Sequence, residues 1–84
     1  MNVRFTRHAT NKFSVLRAHG VSVSRGMVLD VLSKPDTIDA TGRAPLIIAQ
    51  GRFDARRVLR VVFKIERDTM VVITFYPGRK SQYE

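Results

Sequence analysis

The hydrophobic and polar positions along the 84 residues change their period twice. "NVRFT" (2–6) alternates and predicts a short strand. In "RHATNKFSVLRAH" (7–19), Ala9, Phe13 and Leu16 recur at i, i+4 and i+7. That stripe predicts a helix, with Thr6 as its N-cap and Gly20 just past its end. In "VSVSRGMVLDVLSKP", Val23, Met27, Val28, Val31 and Leu32 form a second helical stripe. Ser22 is placed to cap it, Gly26 weakens its first turns, and Pro35 stops it, because the residue before a proline avoids the helical region. From there the period returns to two. Residues 36–42 predict a weak edge strand, 45–53 a better one, and 57–66 and 69–76 two strong ones.

This order places two helices against one sheet, an α+β fold of the form β-α-α-β-β-β(-β) with an antiparallel meander, in a single domain spanning 1–84. In 57–66 one face carries Leu59, Val61, Phe63 and Ile65. The other carries Val58, Arg60, Val62 and Lys64. In the last strand Val71, Ile73 and Phe75 are the expected core set, leaving Thr74 and Tyr76 beside the cations. The connection decides the register. A three-residue loop at Glu66, Arg67 and Asp68 would set Phe63 opposite Val71, whereas a two-residue loop would turn Tyr76 inward. Val58, Val62 and Val72 are expected to show on the open face among cations, which suits either an acidic, amphipathic covering segment or a second copy of the chain, a homodimer.

Charge changes the picture most. Fifteen Lys+Arg stand against seven Asp+Glu, a net charge of +8, and a polyanion is the default partner. Residues 1–29 hold five cations and no acid, and 52–64 hold Arg52, Arg56, Arg57, Arg60 and Lys64 against Asp54 alone. Eleven of the fifteen cations are arginine, whose planar fork suits bidentate contacts to phosphate. With no cysteine, neither a disulfide nor a thiolate site staples the fold. No apolar run reaches membrane-spanning or signal-peptide length, so the expectation is a cytoplasmic protein without a membrane partner.

Candidate chemistry collects at the end of the chain, "FYPGRKSQYE". Pro77 and Gly78 are expected to break the last strand and hold Arg79 and Lys80 near its end. The tail could then reach back so that Tyr76 and Arg60 border one pocket. Arg60 and Lys64 beside Thr74 and Tyr76 would make a surface of cations and an aromatic of the kind used for single strands. Arg7 and His8 fall in the first turn of helix one, where the helix dipole disfavours cations, and with Arg52 they extend the basic surface. Asp36 and Asp39 lack a third ligand, so no metal site is expected, and no cofactor motif occurs.

The stretch "RHATNKFSVLRAHGVSVSRGMVLDVLSKPD" resembles the opening of a small domain family of unknown function that reads His-Ala, a helix, Arg-Gly-Ile-Ser, and a second helix. "IIAQGRFDARRVLRVVFKIERDTMVVITFYPGRKSQYE" is similar to BrnT-like toxins, in which an "RVL-V" strand precedes a hairpin and a final strand leads into an Arg-rich Tyr-Glu segment. Both groups belong with the RelE/ParE toxin superfamily. Two departures stand out: Arg25 sits where those families often place acids, and no third helix is expected after the last strand.

The resemblance implies the toxin of a type II toxin–antitoxin pair. It implies mRNA cleavage without a metal, on or off the ribosome, as the commonest activity, with DNA gyrase inhibition as the other branch, and an acidic antitoxin partner. Such cleavage needs a base for the 2′-OH, an acid for the leaving 5′-oxygen, and cations for the phosphorane. Arg60, Arg79, Lys80 and Tyr83 are the catalytic candidates on this reading. Arg7, His8, Arg52, Lys64 and Tyr76 are the RNA-binding ones. A non-catalytic nucleic-acid-binding module on the same fold, and a toxin-like domain directed at a protein, compete with it.

Overall fold

A computed structural model describes residues 1–84. The elements are β1 (Asn2–Phe5), α1 (Arg7–Ala18), α2 (Arg25–Ser33), β2 (Thr37–Asp39), β3 (Ile47–Arg52), β4 (Arg57–Glu66), β5 (Thr69–Arg79) and the single-turn α3 (Lys80–Tyr83). The α+β class and the order of strands and long helices are as the periodicity predicts. The sheet is mixed, however, and not antiparallel throughout. Its order is β1-β5-β4-β3-β2, and β1 runs parallel to β5. Closure of the meander onto the first strand is a long-range event, and no local period reports it.

The helix-side core is built from Ala9, Val23, Val28, Val31, Leu32, Ala49, Leu59, Val61, Phe63, Val72 and Phe75, with Phe5, Phe13 and Leu16 packed around them. The Phe13 ring lies 4.6 Å from that of Phe75 and 5.8 Å from that of Phe5. At Gly51 a Cβ would lie 2.9 Å from Val31 Cγ2, so the missing side chain lets α2 sit directly on β3. Arg25 lays its guanidinium 4.4 Å over the Phe5 ring, a cation–π contact that gives a purpose to a cation in the first turn of α2.

Thr6 caps α1, accepting from Ala9 N–H at 3.1 Å. The cap of α2 is Ser24 and not Ser22: its Oγ accepts from Met27 N–H at 3.1 Å. Starting two residues later puts Val23 just before the cap and Val28 four residues into the helix. Both are buried, the arrangement of a hydrophobic staple. Burial of Val23 therefore decides between the two serines.

The last hairpin is settled in a way neither loop length alone predicts. Glu66 pairs with Thr69, so the loop has two residues, Arg67 and Asp68, with Arg67 at φ 56°. Phe63 accordingly faces Val72 and not Val71. Between Val62 and Phe63 the register then shifts, leaving Ile73 as the extra residue of a β-bulge. Beyond the bulge Phe75 faces Val61 in the core and Tyr76 faces Arg60 on the open side. The buried set of β5 is thus Val71, Val72 and Phe75, with Val72 and Phe75 in the helix-side cluster and Val71 on the other face, whereas Ile73 is only half-buried. Ile65, at the hairpin end beyond the helices, is 48% exposed.

Strand β5 does not break at Pro77 but continues through Gly78 to Arg79. β1 pairs only with Thr69–Val72, so β5 is an edge strand at Pro77, where a missing N–H costs no ladder bond. The third helix absent from the expectation is α3. The open face is also less apolar than expected: Val72 belongs to the helix-side core, Val58 is buried beside Gly78, and only Val62 is half-exposed.

Candidate nucleic-acid interface

The open face is read row by row across the sheet. One row runs Thr37, Gln50, Arg60 and Tyr76; the next runs Asp39, Ile48, Val62 and Thr74. Arg52, Val58 and Gly78 form a third row, toward the end of β5. Alternation along β3, β4 and β5 puts these side chains on the side away from α1 and α2.

Arg60 sits at the centre of this face, half-buried. Its Nε donates to Tyr76 Oη at 3.1 Å, and its Nη1 donates to Gln50 Oε1. Its guanidinium lies 4.0 Å over the centre of the Tyr83 ring. Gln50 is 3% exposed, the one buried polar side chain of the domain. Burial of an amide is tolerated when it is hydrogen-bonded, and here its partner is the cation it steadies. No carboxylate lies within ion-pairing distance of Arg60. The chain's three ion pairs are Arg4–Glu66, Arg57–Asp54 and Lys64–Glu66. The nearest acid influence is Asp39, whose carboxyl is held below the usual carboxylate range first by the Thr41 hydroxyl and N–H, and only weakly by Arg60.

Tyr83 reaches Arg60 because α3 folds back over the end of β5. A Cβ at Gly78 would fall 2.9 Å from Tyr83 Cδ2 and closer still to its neighbour Cε2, so the ring rests directly on the glycine backbone. Arg60, Tyr76 and Tyr83 are therefore one cluster: a fixed guanidinium between two tyrosines. Tyr76 accepts from Arg60, which leaves its own O–H free to donate.

The other candidates are distributed around this cluster. His8 stands at the rim, Nε2 3.3 Å from Thr74 Oγ1, and Arg7 beside it is exposed in the first turn of α1, which contains no acid. Arg52 is exposed at the end of β3 in the Val58 row. Lys64 is ion-paired with Glu66 at 2.7 Å, so its charge is already engaged. Arg79 and Lys80 do not join Arg60. Arg79 pairs with Arg57, a position of the Leu59 and Pro77 face, and both line a depression with Asp54, Arg56, Arg57 and Ser81. Gln50 is the residue that sequence reasoning missed. Its only signal was a polar side chain at an alternating position of the strand before Arg60.

The fold and this face define a small, strongly basic α+β domain with a five-stranded mixed sheet, one side of which presents an unneutralised arginine between aromatic rings. No protein-family model, curated protein or solved structure matches the chain. No helix is long and apolar enough to cross a membrane.

Proposed function

We propose that the chain is an RNA-directed, toxin-like protein of the RelE/ParE kind that engages a single-stranded phosphodiester on its open sheet face. The observation that carries this reading is Arg60. A half-buried guanidinium with no carboxylate, held by Gln50 and Tyr76 and backed by Tyr83, is a preorganised anion receptor. It needs no reorganisation when charge develops on a bound phosphate. Tyr76 O–H supplies a second donor, and the tyrosine rings offer bases a surface to stack on. Net charge of +8 supplies the long-range attraction.

Scission on this surface is attack of a ribose 2′-oxygen on the adjacent phosphorus with departure of the 5′-oxygen. It leaves a 2′,3′-cyclic phosphate and a 5′-hydroxyl, and Arg60 stabilises the phosphorane. An acidic antitoxin would cover the same basic face. The alternative, a binding module without catalysis, is favoured by one observation: neither a carboxylate nor an imidazole hydrogen-bonds to Arg60, Tyr76 or Tyr83, so no general base is in place at the cluster.

One experiment tests both. Wild-type protein and Arg60→Gln are incubated with a labelled single-stranded RNA, and both affinity and product ends are read. Cyclic-phosphate products from the wild type, lost in Arg60→Gln, support the nuclease. Intact RNA bound with an affinity that falls in Arg60→Gln supports the module. Equal RNA affinity in the two proteins removes the open face from consideration.

A further inference from the structure

A second cationic cluster lies away from Arg60, where the β3–β4 connection meets the end of β5. Arg57 and Arg79 are direct cross-strand partners, so two guanidinium side chains start about 4.5–5.5 Å apart at their Cβ atoms, a placement that destabilises a sheet when the charges are alike. Arg56 and Lys80 flank them, tied by the hydrogen bond from Lys80 N–H to Arg56 carbonyl at 2.9 Å. The four cations line one depression, together with Ser81 and a single acid, Asp54. Asp54 is fully committed. Its Oδ1 accepts from the N–H groups of Arg56 and Arg57 at 2.9 and 2.8 Å, and its Oδ2 accepts from Arg57 Nε at 2.8 Å. Arg57 is further fixed by lying 4.8 Å over the Phe53 ring. These bonds hold the loop, Arg57 is neutralised, and Arg56, Arg79 and Lys80 line the depression with no acid paired to them.

We propose that this depression is a phosphate-binding site, shaped for a phosphate monoester and distinct from the Arg60 cluster. Three unopposed cations beside a hydrogen-bonded loop suit a compact dianion better than the single charge of a chain-internal diester. The mutual repulsion of Arg56, Arg79 and Lys80 is what such an anion would relieve. The site does not depend on the reading of the open face, since pleat alternation puts Arg57 and Arg79 on the opposite side of the sheet from Arg60. The monoester could be free phosphate or the 5′-phosphate end of an oligonucleotide.

The test is thermal melting of the intact chain in sodium phosphate against sodium chloride at matched ionic strength and pH. Binding to the folded state alone raises Tm by about 6–11 °C once phosphate reaches ten times its Kd. Arg79→Ala and, independently, Arg56→Ala should lose most of that rise, while Arg43→Ala, an exposed cation outside the depression, keeps it. In chloride alone Arg79→Ala should melt no lower than the wild type, because it removes a repulsion and no cap: Arg79 makes no side-chain capping bond to α3. A second arm compares a 5′-phosphorylated oligoribonucleotide with its 5′-hydroxyl form. Tighter binding of the phosphorylated strand, abolished in Arg79→Ala, identifies the oligonucleotide end as the source; equal binding with the Tm rise intact identifies free phosphate. Absence of a phosphate-specific rise, or a rise unchanged in both variants, overturns the site.

Discussion

Substituting Gly78 by alanine isolates the contact that closes the Arg60 cluster. The new methyl group would penetrate the Tyr83 ring, 2.9 Å from Cδ2, whereas the backbone tolerates it, since Gly78 does not adopt positive φ. The ring belongs to a one-turn helix that buries no residue, so it moves before the sheet does. What is lost is the packing of Tyr83 on the strand and its cation–π contact with Arg60 at 4.0 Å. The latter is worth about 0.5–1 kcal/mol at an exposed site and up to about 2 kcal/mol when desolvated. Half-burial of Arg60 places the cost of Gly78→Ala near 1 kcal/mol, read as a fall in Tm of about 4–8 °C. The decisive assay is a double-mutant cycle by urea denaturation. Tyr83→Ala should cost about the same as Gly78→Ala. In the Tyr83→Ala background the glycine substitution should be neutral, or stabilising by about 0.4–1 kcal/mol through the lost freedom of the unfolded chain. Equal costs of Gly78→Ala in both backgrounds would show that the glycine is required by something other than the tyrosine, and the reasoning would fail.

Other outcomes follow from the same geometry. For RNA binding by the wild type, log K against log[salt] should slope by about −0.7 per phosphate contacted, and Arg60→Gln should make that slope shallower by about one contact; a slope near zero refutes the electrostatic reading. Val61→Asp puts an unpaired charge at a fully buried position at a cost of several kcal/mol against a total of about 5–15 kcal/mol, and circular dichroism should show an unfolded chain. Thr6→Val removes both the α1 cap and the bond from Thr6 Oγ1 to the Ile73 carbonyl, a loss of about 1–2 kcal/mol by chemical denaturation. Lys64, and less strongly Arg4, lower the carboxyl of Glu66. Its stabilising effect is therefore complete above the unfolded carboxylate range and fades as the pH falls through and below that range; Glu66→Gln should flatten this acid limb, and high salt should do the same.

Much of the fold was legible in local patterns, because 3.6- and 2-residue periods report which face is buried. What escaped depended on contacts distant in sequence. Ser22 and Ser24 are equivalent caps until Val23 is known to be buried. Pro77 reads as a strand breaker until β1 is known to leave that stretch of β5 at an edge. Arg60 and Tyr76 were placed on one face by alternation and a three-residue loop; they are neighbours, but through a two-residue loop and a bulge. The tail does return to Arg60, but it brings Tyr83 onto the guanidinium as a packed cluster, and Arg79 and Lys80 line a depression elsewhere. The pairing of Arg79 with Arg57 follows from the strand running on through Gly78, the feature that composition argued against.

The bulge at Ile73 links the fold to the site. A two-residue loop by itself would pair Tyr76 with Leu59 on the helix side, making a core position polar, and would set Phe75 opposite Arg60 on the open face. One extra residue in β5 restores Phe75 to the core and Tyr76 to the open face within three positions. A bulge leaves a carbonyl without its ladder partner, and here Thr6 Oγ1 donates to Ile73 carbonyl at 3.3 Å while Thr6 N–H donates to Val72 carbonyl at 3.1 Å. The residue that starts α1 is thus the residue that secures the bulge. The N-terminal turn of that helix, with His8 against Thr74, is thereby carried to the rim of the Arg60 face. One irregularity of register positions the phenol on Arg60 and brings the first helix to the edge of the same surface, and no regular hairpin of these two strands would do both.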